Sequence, residues 1–409
     1  MRSVLTICCM LSCFFAAAKT ITVGKGRAFQ TITAGIAAAA GGDTVLVYPG
    51  IYREKNLLIS KSLVLKGIDF PVLDGEHRYE IISVKASAVT VEGFKLLHSG
   101  VSSLEDIAGI KVYDARDVVI SNNILNDSFF GIYIQNGTNC IVENNLLTGT
   151  AKNEQQSGNG IHSWKCDSMR IIGNTVSGHR DGIYFEFVKN SVIWRNKAQN
   201  NIRYGLHFMF SNDDMYVSNI FENNGSGVSV MFSKNIKMFS NYFAENWGDA
   251  SHGILLKEIS DGYLQGNYFE KNTSAVYMEG ANRIRMTYNS FRNNGWALKI
   301  QASCMDVELE RNNFIGNTFD VGTNGTLVQN TFNNNYWDKY EGYDLNKDGK
   351  GDIPYHPVSM YSMIVEKYAS AMILFRSFIT TLLDKTEKIL PVLTPENLRD
   401  NSPLMKKAF

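Results

Sequence analysis

Residues 182–232 read GIYFEFVKNSVIWRNKAQNNIRYGLHFMFSNDDMYVSNIFENNGSGVSVMF, and a glycine followed by an aliphatic residue occurs three times in this stretch. The pairs begin at Gly182, Gly205 and Gly227, at steps of 23 and 22 residues. After each pair, apolar and polar residues alternate, which is the period of a β-strand rather than of a helix. The stretch therefore predicts one short strand in every repeat of about 22 residues.

The same spacing extends in both directions along the chain. Pairs of a small and an aliphatic residue begin at Gly109, Gly131, Gly160, Gly182, Gly205, Gly227, Gly253, Ala275 and Ala297. A second ladder, in which each asparagine opens an Asn-x-apolar step, falls at Asn122, Asn144, Asn174, Asn196, Asn219, Asn241, Asn267, Asn289, Asn312 and Asn330. Two markers with one period indicate coils that stack at about 4.8 Å, with glycine and asparagine at the corners.

The predicted fold is all-β, a right-handed parallel β-helix with an N-terminal cap and a C-terminal amphipathic helix. We expect about ten coils between residues 109 and 330, with no helix longer than a turn inside them. The β-helix and its cap are assigned to residues 19–338, and residues 29–40 predict the short amphipathic helix that covers the first coil.

Both ends of the chain depart from the repeat. Arg2, the apolar stretch up to Phe15 and the three alanines that follow predict a secretory signal peptide over residues 1–18. An Asp/Gly-rich loop is assigned to residues 339–358, and a helical docking tail to residues 359–409.

The tail carries the period of an amphipathic helix. Between residues 360 and 390 its apolar residues recur at steps of three and four, at Ile364, Tyr368, Met372, Phe375, Ile379 and Leu382. We expect this apolar stripe to lie on the last coil, on a partner or on a membrane surface.

The charge balance excludes one class of partner. The 409 residues include 40 basic and 40 acidic ones, so the net charge is zero at neutral pH. A surface that holds nucleic acid needs clustered positive charge to neutralise phosphates. Nucleic acid is therefore not an expected partner.

One group of outward-facing residues suggests a metal site. Counting two and four places from each corner residue puts Glu186, His207, Met209 and Met231 in one patch on neighbouring coils, on a face expected to point to solvent. Imidazole and thioether ligands suit Cu(I) and are poor ligands for Mg²⁺ or Ca²⁺. The alternative interpretation is an apolar docking surface formed by these methionines with Phe210 and Phe232, and the two interpretations are compatible.

The Asp/Gly-rich loop contains a second candidate metal site. Asp344, Asn346, Asp348 and Asp352 place oxygen side chains around Gly349 in the pattern of a calcium loop. Tyr355 stands where a bidentate glutamate is expected. The competing interpretation is a turn held by its own side-chain hydrogen bonds.

Two other groups carry less chemistry. Three cysteines remain after the signal, Cys140, Cys166 and Cys304, and we interpret them as buried small apolar residues. Asp213 and Asp214 could act as the acid and base of a polysaccharide-cleaving β-helix. However, they occupy a turn between strands, and adjacent residues in a strand would point to opposite faces. We therefore expect no catalytic residues.

Several strings carry a resemblance to a known family. They are GIYFEF (182–187), RYGLHFMFS (203–211), GVSVMFS (227–233), LLKEISD (255–261), EGANR (279–283), NGWA (294–297), FDVGTN (319–324), NYWD (335–338) and DGKGDIPY (348–355). In these strings the chain resembles the D component of the nitrous oxide reductase maturation system.

The resemblance implies a periplasmic copper-delivery subunit of an ABC transporter. It implies as partners a membrane permease and a cytoplasmic ATPase, a copper chaperone lipoprotein that supplies Cu(I), and the nitrous oxide reductase that receives it. The chain would then be attached to the inner membrane through its partner subunits. The alternative is an extracytoplasmic β-helix that binds or cleaves carbohydrate.

Overall fold

The computed structural model describes residues 18–102, 104–155, 157–325, 329–389 and 398–409. Residues 1–17 of the predicted signal peptide lie outside the described residues. Three parallel sheets, here called A, B and C, wind into a right-handed β-solenoid of about 14 turns. The predicted fold class is confirmed.

Each complete coil contributes one strand to each sheet, in the chain order A, B, C. Sheet A contains Thr20–Val23, Thr44–Val47, Val64–Gly67, Thr90–Glu92, Val119–Ser121, Ile141–Glu143, Arg170–Ile172, Val192–Trp194, Met215–Val217, Lys234–Phe239, Ser260–Gln265, Asn282–Thr287, Met305–Glu310 and Thr331–Asn333. Sheet B contains Ile51–Tyr52, Val72–Asp74, Lys95–Leu97, Ile124–Asn126, Leu146–Thr148, Thr175–Ser177, Lys197–Gln199, Ile220–Glu222, Tyr242–Ala244, Tyr268–Glu270, Ser290–Arg292, Asn313–Ile315 and Tyr336–Trp337. Sheet C contains Leu57–Ile59, Ile82–Val84, Ala108–Tyr113, Phe130–Gln135, Ile161–Trp164, Asp181–Glu186, Tyr204–Met209, Ser226–Met231, His252–Lys257, Ser274–Glu279, Trp296–Ile300 and Phe319–Gly322.

The number of coils agrees with the repeat count. Ten strands of sheet C begin between residues 108 and 319, in agreement with the prediction of about ten coils. No helix interrupts the described residues of this region. Where the corner residue of a sheet C strand is glycine, close approach of the next coil requires it. At Gly182, for example, an added Cβ would lie 2.6 Å from the backbone oxygen of Gly205.

The corner from sheet A to sheet B holds a buried asparagine ladder. The side-chain oxygen of Asn219 accepts hydrogen bonds from the backbone N–H and the side-chain amide of Asn196, at 2.9 and 3.1 Å. The amide of Asn219 donates to the Ile193 carbonyl and to the Asn241 side chain, both at 2.9 Å. The same pattern links the following buried residues: Asn123, Asn145, Asn174, Asn196, Asn219, Asn241, Asn267, Asn289, Asn312 and Asn335.

Three members of the predicted ladder are wrong. Asn122 and Asn144 are exposed, with φ of 54°, and it is the residue after each that enters the ladder. Asn330 accepts a hydrogen bond from the backbone of Val307, and Asn335 takes its predicted place in the ladder. Each corner consists of one left-handed residue followed by one inward residue, so a shift of one residue reverses the direction of the side chain.

Aromatic rings fill the interior beside sheet B. Phe221, Phe243, Phe269, Phe291, Phe314 and Trp337 stack with ring centroids 4.0–5.4 Å apart. A second asparagine ladder lies at the corner from sheet B to sheet C, and it begins where the His179 backbone N–H donates to Asn201 at 3.1 Å. The core is therefore a stack of nearly identical layers, each of which contacts the layers on either side of it.

A short helix, Ile32–Ala38, covers the first coil as predicted. The Thr31 side chain caps its N-terminus, and Ile32 and Ile36 are buried. Gly35 is required there because a Cβ at this position would lie 2.5 Å from Val23.

The C-terminal region differs from the predicted single helix. It consists of a helix Met360–Lys367, a 3₁₀ helix Ala369–Leu374 and a second helix Phe378–Ile389. The first break falls at Tyr368, whose backbone is not helical. The second break covers residues 375–377, where Arg376 has a φ of 61°. The spacing of the apolar residues does not predict these breaks, because the same steps of three and four continue through them.

Residues 398–409 are not part of a helical tail. They return to the last coil, where Asp400 and Leu404 pair with Phe332 and Tyr336. No helix among the described residues is long and apolar enough to cross a membrane.

Candidate metal-binding surface

The outward face of sheet C carries the two columns predicted from the spacing. In the second-place column, Tyr133 pairs with His162, His162 with Tyr184, and Tyr184 with His207. In the fourth-place column, Glu186 pairs with Met209, and Met209 with Met231. Adjacent coils lie about 4.8 Å apart, so Glu186, Met209 and Met231 are direct neighbours on three successive coils. All three side chains are partly exposed.

His207 is buried, whereas the alternating pattern predicts that it faces solvent. Its side chain is only 4% exposed, because the rings of Tyr184 and Tyr204 lie against it with centroids 4.7 and 4.9 Å away. Its Nδ1 lies 3.6 Å from Oδ2 of Asp181, which is also buried. The expected position on the strand is correct, and the expected solvent exposure is wrong.

Asp181 is a neighbour of the patch that the sequence did not reveal. It immediately precedes the corner glycine Gly182, and its Oδ1 accepts a hydrogen bond from the backbone of Tyr204 at 3.2 Å. The only sign of Asp181 in the sequence is that an acidic residue precedes the corner glycine in this repeat. Other repeats have Phe130, Tyr204 or Ser226 at that position. A departure of this kind is too common to mark a site by itself.

Several buried polar atoms along this face have no hydrogen-bond partner among the described residues. They are Nε2 of His162, Oδ2 of Asp181, both ring nitrogens of His207 and Oγ of Ser229. Burial, together with the cations Arg180 and Lys111, lowers the pKa of His162 to about 3, so this imidazole is neutral at physiological pH. Buried polar atoms of this kind usually contact water or an ion. The face is therefore a polar strip that includes the neutral imidazole of His162, and its edge carries the thioethers.

A row of exposed aromatic rings borders the patch. Phe187, Phe210 and Phe232 each follow the last strand residue of successive coils, and their rings stack at 5.1 Å. They are 45%, 40% and 44% exposed. Contiguous apolar surface of this kind is typical of a protein interface, so the row supports the docking interpretation without weakening the metal interpretation.

The oxygens of the predicted calcium loop are engaged with the loop's own backbone. The two oxygens of Asp344 accept from the backbone N–H groups of Asp348 and Gly349, at 3.2 and 2.9 Å. Asn346 accepts from Asp348 at 3.0 Å, and Asp352 accepts from Leu345 at 2.7 Å. This is the turn held by its own side-chain hydrogen bonds, and calcium binding by Asp344, Asn346, Asp348 and Asp352 stays a prediction.

The cysteines and the acidic pair have structural positions. Cys140, Cys166 and Cys304 are free and buried, and burial raises the pKa of the Cys166 thiol to about 12. Asp214 is buried and accepts a hydrogen bond from the Ser191 backbone at 2.8 Å, whereas Asp213 is an exposed turn residue with φ of 60°. The two carboxyl groups therefore lie in different environments, one inside the solenoid and one outside.

The fold defines the class as a parallel β-helix, and the outward face of sheet C carries a strip of buried polar atoms without hydrogen-bond partners among the described residues. Among solved structures, the catalytic unit of a GH87 α-1,3-glucanase from Streptomyces thermodiastaticus strain HF3-3 gives a TM-score of 0.57 at 13% identity, covering 75% of this chain and 62% of that one. The surface adhesin PfbA of Streptococcus pneumoniae gives a TM-score of 0.51 at 13% identity, covering 74% of this chain and 85% of that one. Likenesses at such low identity show the fold alone.

Sequence similarity is more specific. Residues 147–342 match the family described as "Periplasmic copper-binding protein (NosD)". A relative from Pseudomonas aeruginosa, named "Probable ABC transporter binding protein NosD", is 28% identical over 86% of this chain and 86% of its own length. A relative of the same name from Stutzerimonas stutzeri is 26% identical over 82% of this chain and 80% of its own length. This chain is therefore similar to proteins named NosD over most of its length, and its residues 147–342 match the family model.

Proposed function

We propose that this chain binds copper in the periplasm, serves an ABC transporter as its binding protein, and delivers Cu(I) for the maturation of nitrous oxide reductase. The observation that carries the proposal is the family match, whose description names copper and the periplasm. The matched segment, residues 147–342, contains Glu186, His207, Met209 and Met231. The names of the two relatives support the transporter partnership.

The geometry of the methionine pair suits transfer of an ion better than storage. Thioethers are soft, neutral ligands that favour Cu(I), and a partner can displace them because they form no closed cage. Met209 and Met231 face each other on adjacent coils at the edge of sheet C, where a second protein can reach them. Glu186 extends the same column by one coil, and His207 lies two residues before Met209 on the same face.

Replacing both Met209 and Met231 by alanine is expected to weaken Cu(I) binding by at least about 100-fold, because both soft ligands are lost. The thermal midpoint should change by no more than about 3 °C, since partly exposed side chains contribute little to the core. Competition with a chromophoric Cu(I) chelator measures the affinity.

Met305→Ala is the matched control, because Met305 is 48% exposed and lies on sheet A away from the patch. It should bind Cu(I) as the unmodified protein does. If the double variant keeps its Cu(I) affinity but no longer binds its protein partners, the patch is a docking surface and the copper ligands lie elsewhere.

The C-terminal region supports attachment to a membrane partner. The helix Met360–Lys367 is held on sheet C, where Tyr361 and Val365 contact Trp296 and Phe319. Beyond it, the chain exposes a series of large apolar side chains: Tyr368, Met372, Ile373, Phe375, Phe378, Ile379 and Leu382. The first helix is thus anchored, and the segment after it presents apolar surface to a partner such as the permease.

Introducing Phe378→Glu, Ile379→Glu and Leu382→Glu together should release the chain from the detergent-solubilised transporter complex. These side chains are 79%, 51% and 52% exposed, so charges there should leave the β-helix folded. Co-purification with the permease and ATPase measures the effect, and a loss of at least about tenfold is expected. Removing all of residues 359–409 is a poorer test, because it also removes the segment at 398–409 that closes the last coil.

Leu58→Glu serves as the control for added charge, because Leu58 is 49% exposed at the other end of the solenoid. Undiminished co-purification of the triple variant would reject the docking role of the tail.

The partners of the proposed delivery route are a permease, an ATPase, a copper chaperone lipoprotein and nitrous oxide reductase. Purifying the protein together with these neighbours and measuring bound metal tests the whole proposal. Copper in the complex, and its transfer to metal-free reductase, is the expected result. Absence of copper together with binding or cleavage of a polysaccharide would favour the alternative of a carbohydrate-acting β-helix.

A further inference from the structure

A cleft lies at the corner between sheets B and C, near the N-terminal end of the solenoid. Its volume is about 70 Å³, and it is open to solvent on one side. Turns at the ends of sheet B strands and the loop that includes Thr150, Ser157 and Gly158 form its walls. His77, Asp127 and His179 are among the residues that line it.

Three side chains from three successive coils lie together beside this cleft, and two of them, His77 and Asp127, line it. His77 follows the strand Val72–Asp74, His98 follows Lys95–Leu97, and Asp127 follows Ile124–Asn126. The ring nitrogens and the carboxylate oxygen that they offer lie within 4.8 Å of one another. Nε2 of His77 is 3.9 Å from Oδ2 of Asp127, and the two imidazole rings are 4.6 Å apart between centroids.

Hydrogen bonds to neighbouring groups engage one atom of each of two of these side chains and leave a second atom free. Nδ1 of His98 lies 3.0 Å from Oδ1 of Asp74, so a proton on Nδ1 leaves the lone pair of Nε2 free. A carboxylate hydrogen-bonded to the second nitrogen of a histidine is the usual outer partner of a metal-bound imidazole. The Thr150 hydroxyl donates a hydrogen bond to Oδ1 of Asp127. The other carboxylate oxygen, Oδ2, is the one nearer to His77, and it remains available to an ion.

The loop that carries His77 is itself tied to the solenoid. The backbone N–H of His77 donates to the carbonyl of His98 at 2.9 Å. The His77 side chain is 59% exposed, and those of His98 and Asp127 are 38% and 36% exposed. The backbone positions are therefore fixed, while the side chains retain enough freedom to close around an ion.

Two buried polar atoms in the cleft wall supply an independent sign of a ligand. Nε2 of His179 and Oγ of Ser128 have no hydrogen-bond partner among the described residues, although these residues are only 2% and 6% exposed. Burial lowers the pKa of His179 to about 4, so its imidazole is neutral and able to bind a metal at neutral pH. Unpaired atoms of this kind in a polar cleft are expected to contact water or an ion.

We propose that His77, His98 and Asp127 form a binding site for a divalent transition-metal ion of the Zn²⁺ or Cu²⁺ class. Two imidazoles and one carboxylate suit these borderline ions, whereas Ca²⁺ and Mg²⁺ prefer oxygen ligands alone and Cu(I) prefers softer ones. The site goes beyond the proposed function and does not rest on it.

The site is separate from the methionine pair. Asp127 lies just before a strand of sheet C, whereas Met209 and Met231 are the last residues of their strands. A strand of six residues spans roughly 20 Å, so the two sites occupy opposite edges of the same sheet. They are also offset by several coils along the solenoid axis.

Calorimetric titration of the full mature chain with ZnCl₂ tests the proposal. We expect one ion per chain, and a loss of affinity of at least about tenfold in His77→Gln and in His98→Gln, since each removes one of three ligands. Asp74→Asn touches no ion, yet it should weaken binding about tenfold by removing the outer partner of His98. Titration with CuSO₄ followed by electron paramagnetic resonance should show two coordinated imidazole nitrogens, and one in each histidine variant.

The Met209→Ala, Met231→Ala double variant is the control, and it should bind Zn²⁺ unchanged. Thermal unfolding of each metal-free variant checks folding, and His77→Gln is decisive because the exposed His77 side chain contributes little to stability. Unchanged Zn²⁺ affinity in both histidine variants, or no Zn²⁺ and Cu²⁺ binding by the unmodified chain, would overturn the proposal. Loss of Zn²⁺ binding in the methionine variant would show that the two sites are not separate.

Discussion

Replacing Asn219 by alanine should lower the free energy of unfolding by about 3–5 kcal/mol, because it leaves several buried polar groups unpaired. The substitution removes the acceptor for the Asn196 backbone N–H and the donor to the Ile193 carbonyl. Each buried group left without a partner costs about 1–3 kcal/mol, and the lost side chain also leaves a cavity. Urea denaturation followed by circular dichroism measures the change.

Asn122→Gly is the matched control for the ladder. Asn122 is the exposed left-handed residue of the same kind of corner, with φ of 54°, and glycine adopts that backbone conformation freely. Its unfolding free energy should change by no more than about 0.5 kcal/mol. If both variants lost the same free energy of unfolding, the hydrogen bonds of the ladder would contribute no more to stability than the exposed asparagine at the corner does.

Replacing Asp400 by alanine is expected to have an effect of similar size, about 3–5 kcal/mol, at the C-terminal end. Oδ2 of Asp400 accepts three hydrogen bonds in a fully buried position, from the Asn335 backbone and amide at 2.9 and 3.0 Å and from the Trp337 indole at 3.1 Å. Asp400 thus ends the asparagine ladder. Without it, the last coil keeps three buried donors that have no acceptor.

Asp400→Asn should lose less than half as much stability as Asp400→Ala, because its side-chain oxygen can accept hydrogen bonds as the asparagines of the ladder do. Hydrogen exchange should show faster opening of the last coils in Asp400→Ala, and little change near the first coil, since each layer contacts only its neighbours. Uniform destabilisation along the whole chain would contradict the role of Asp400 as a local cap.

The repeat made most of the fold predictable, but not the register at every corner. Coils in which one asparagine follows a different left-handed residue, such as Gly173-Asn174 and Arg195-Asn196, fix the inward position. At Asn122-Asn123 and Asn144-Asn145 both residues fit the pattern, and the prediction took the wrong one. Only the continuous hydrogen bonding of the ladder resolves such a pair.

The sites were less predictable because they depend on what covers a residue. The spacing placed His207, Met209 and Met231 correctly on the outward face, but it gave no sign that two tyrosine rings bury His207. The cluster of His77, His98 and Asp127 lies in turns of unequal length, most of it outside the regular ladders. No fixed period connects its members.

The three corners of the solenoid differ in how much variation they tolerate. Between sheets A and B the connection is two residues long in every coil from Gly93-Phe94 onward, because the left-handed residue and the ladder residue fill it. Between sheets B and C it varies from three residues at 127–129 to twelve at 149–160. Insertions at this edge leave the stacked layers undisturbed. The edge that carries the cleft is therefore the part of the molecule most able to acquire new specificity during evolution, while the opposite corner keeps the scaffold constant.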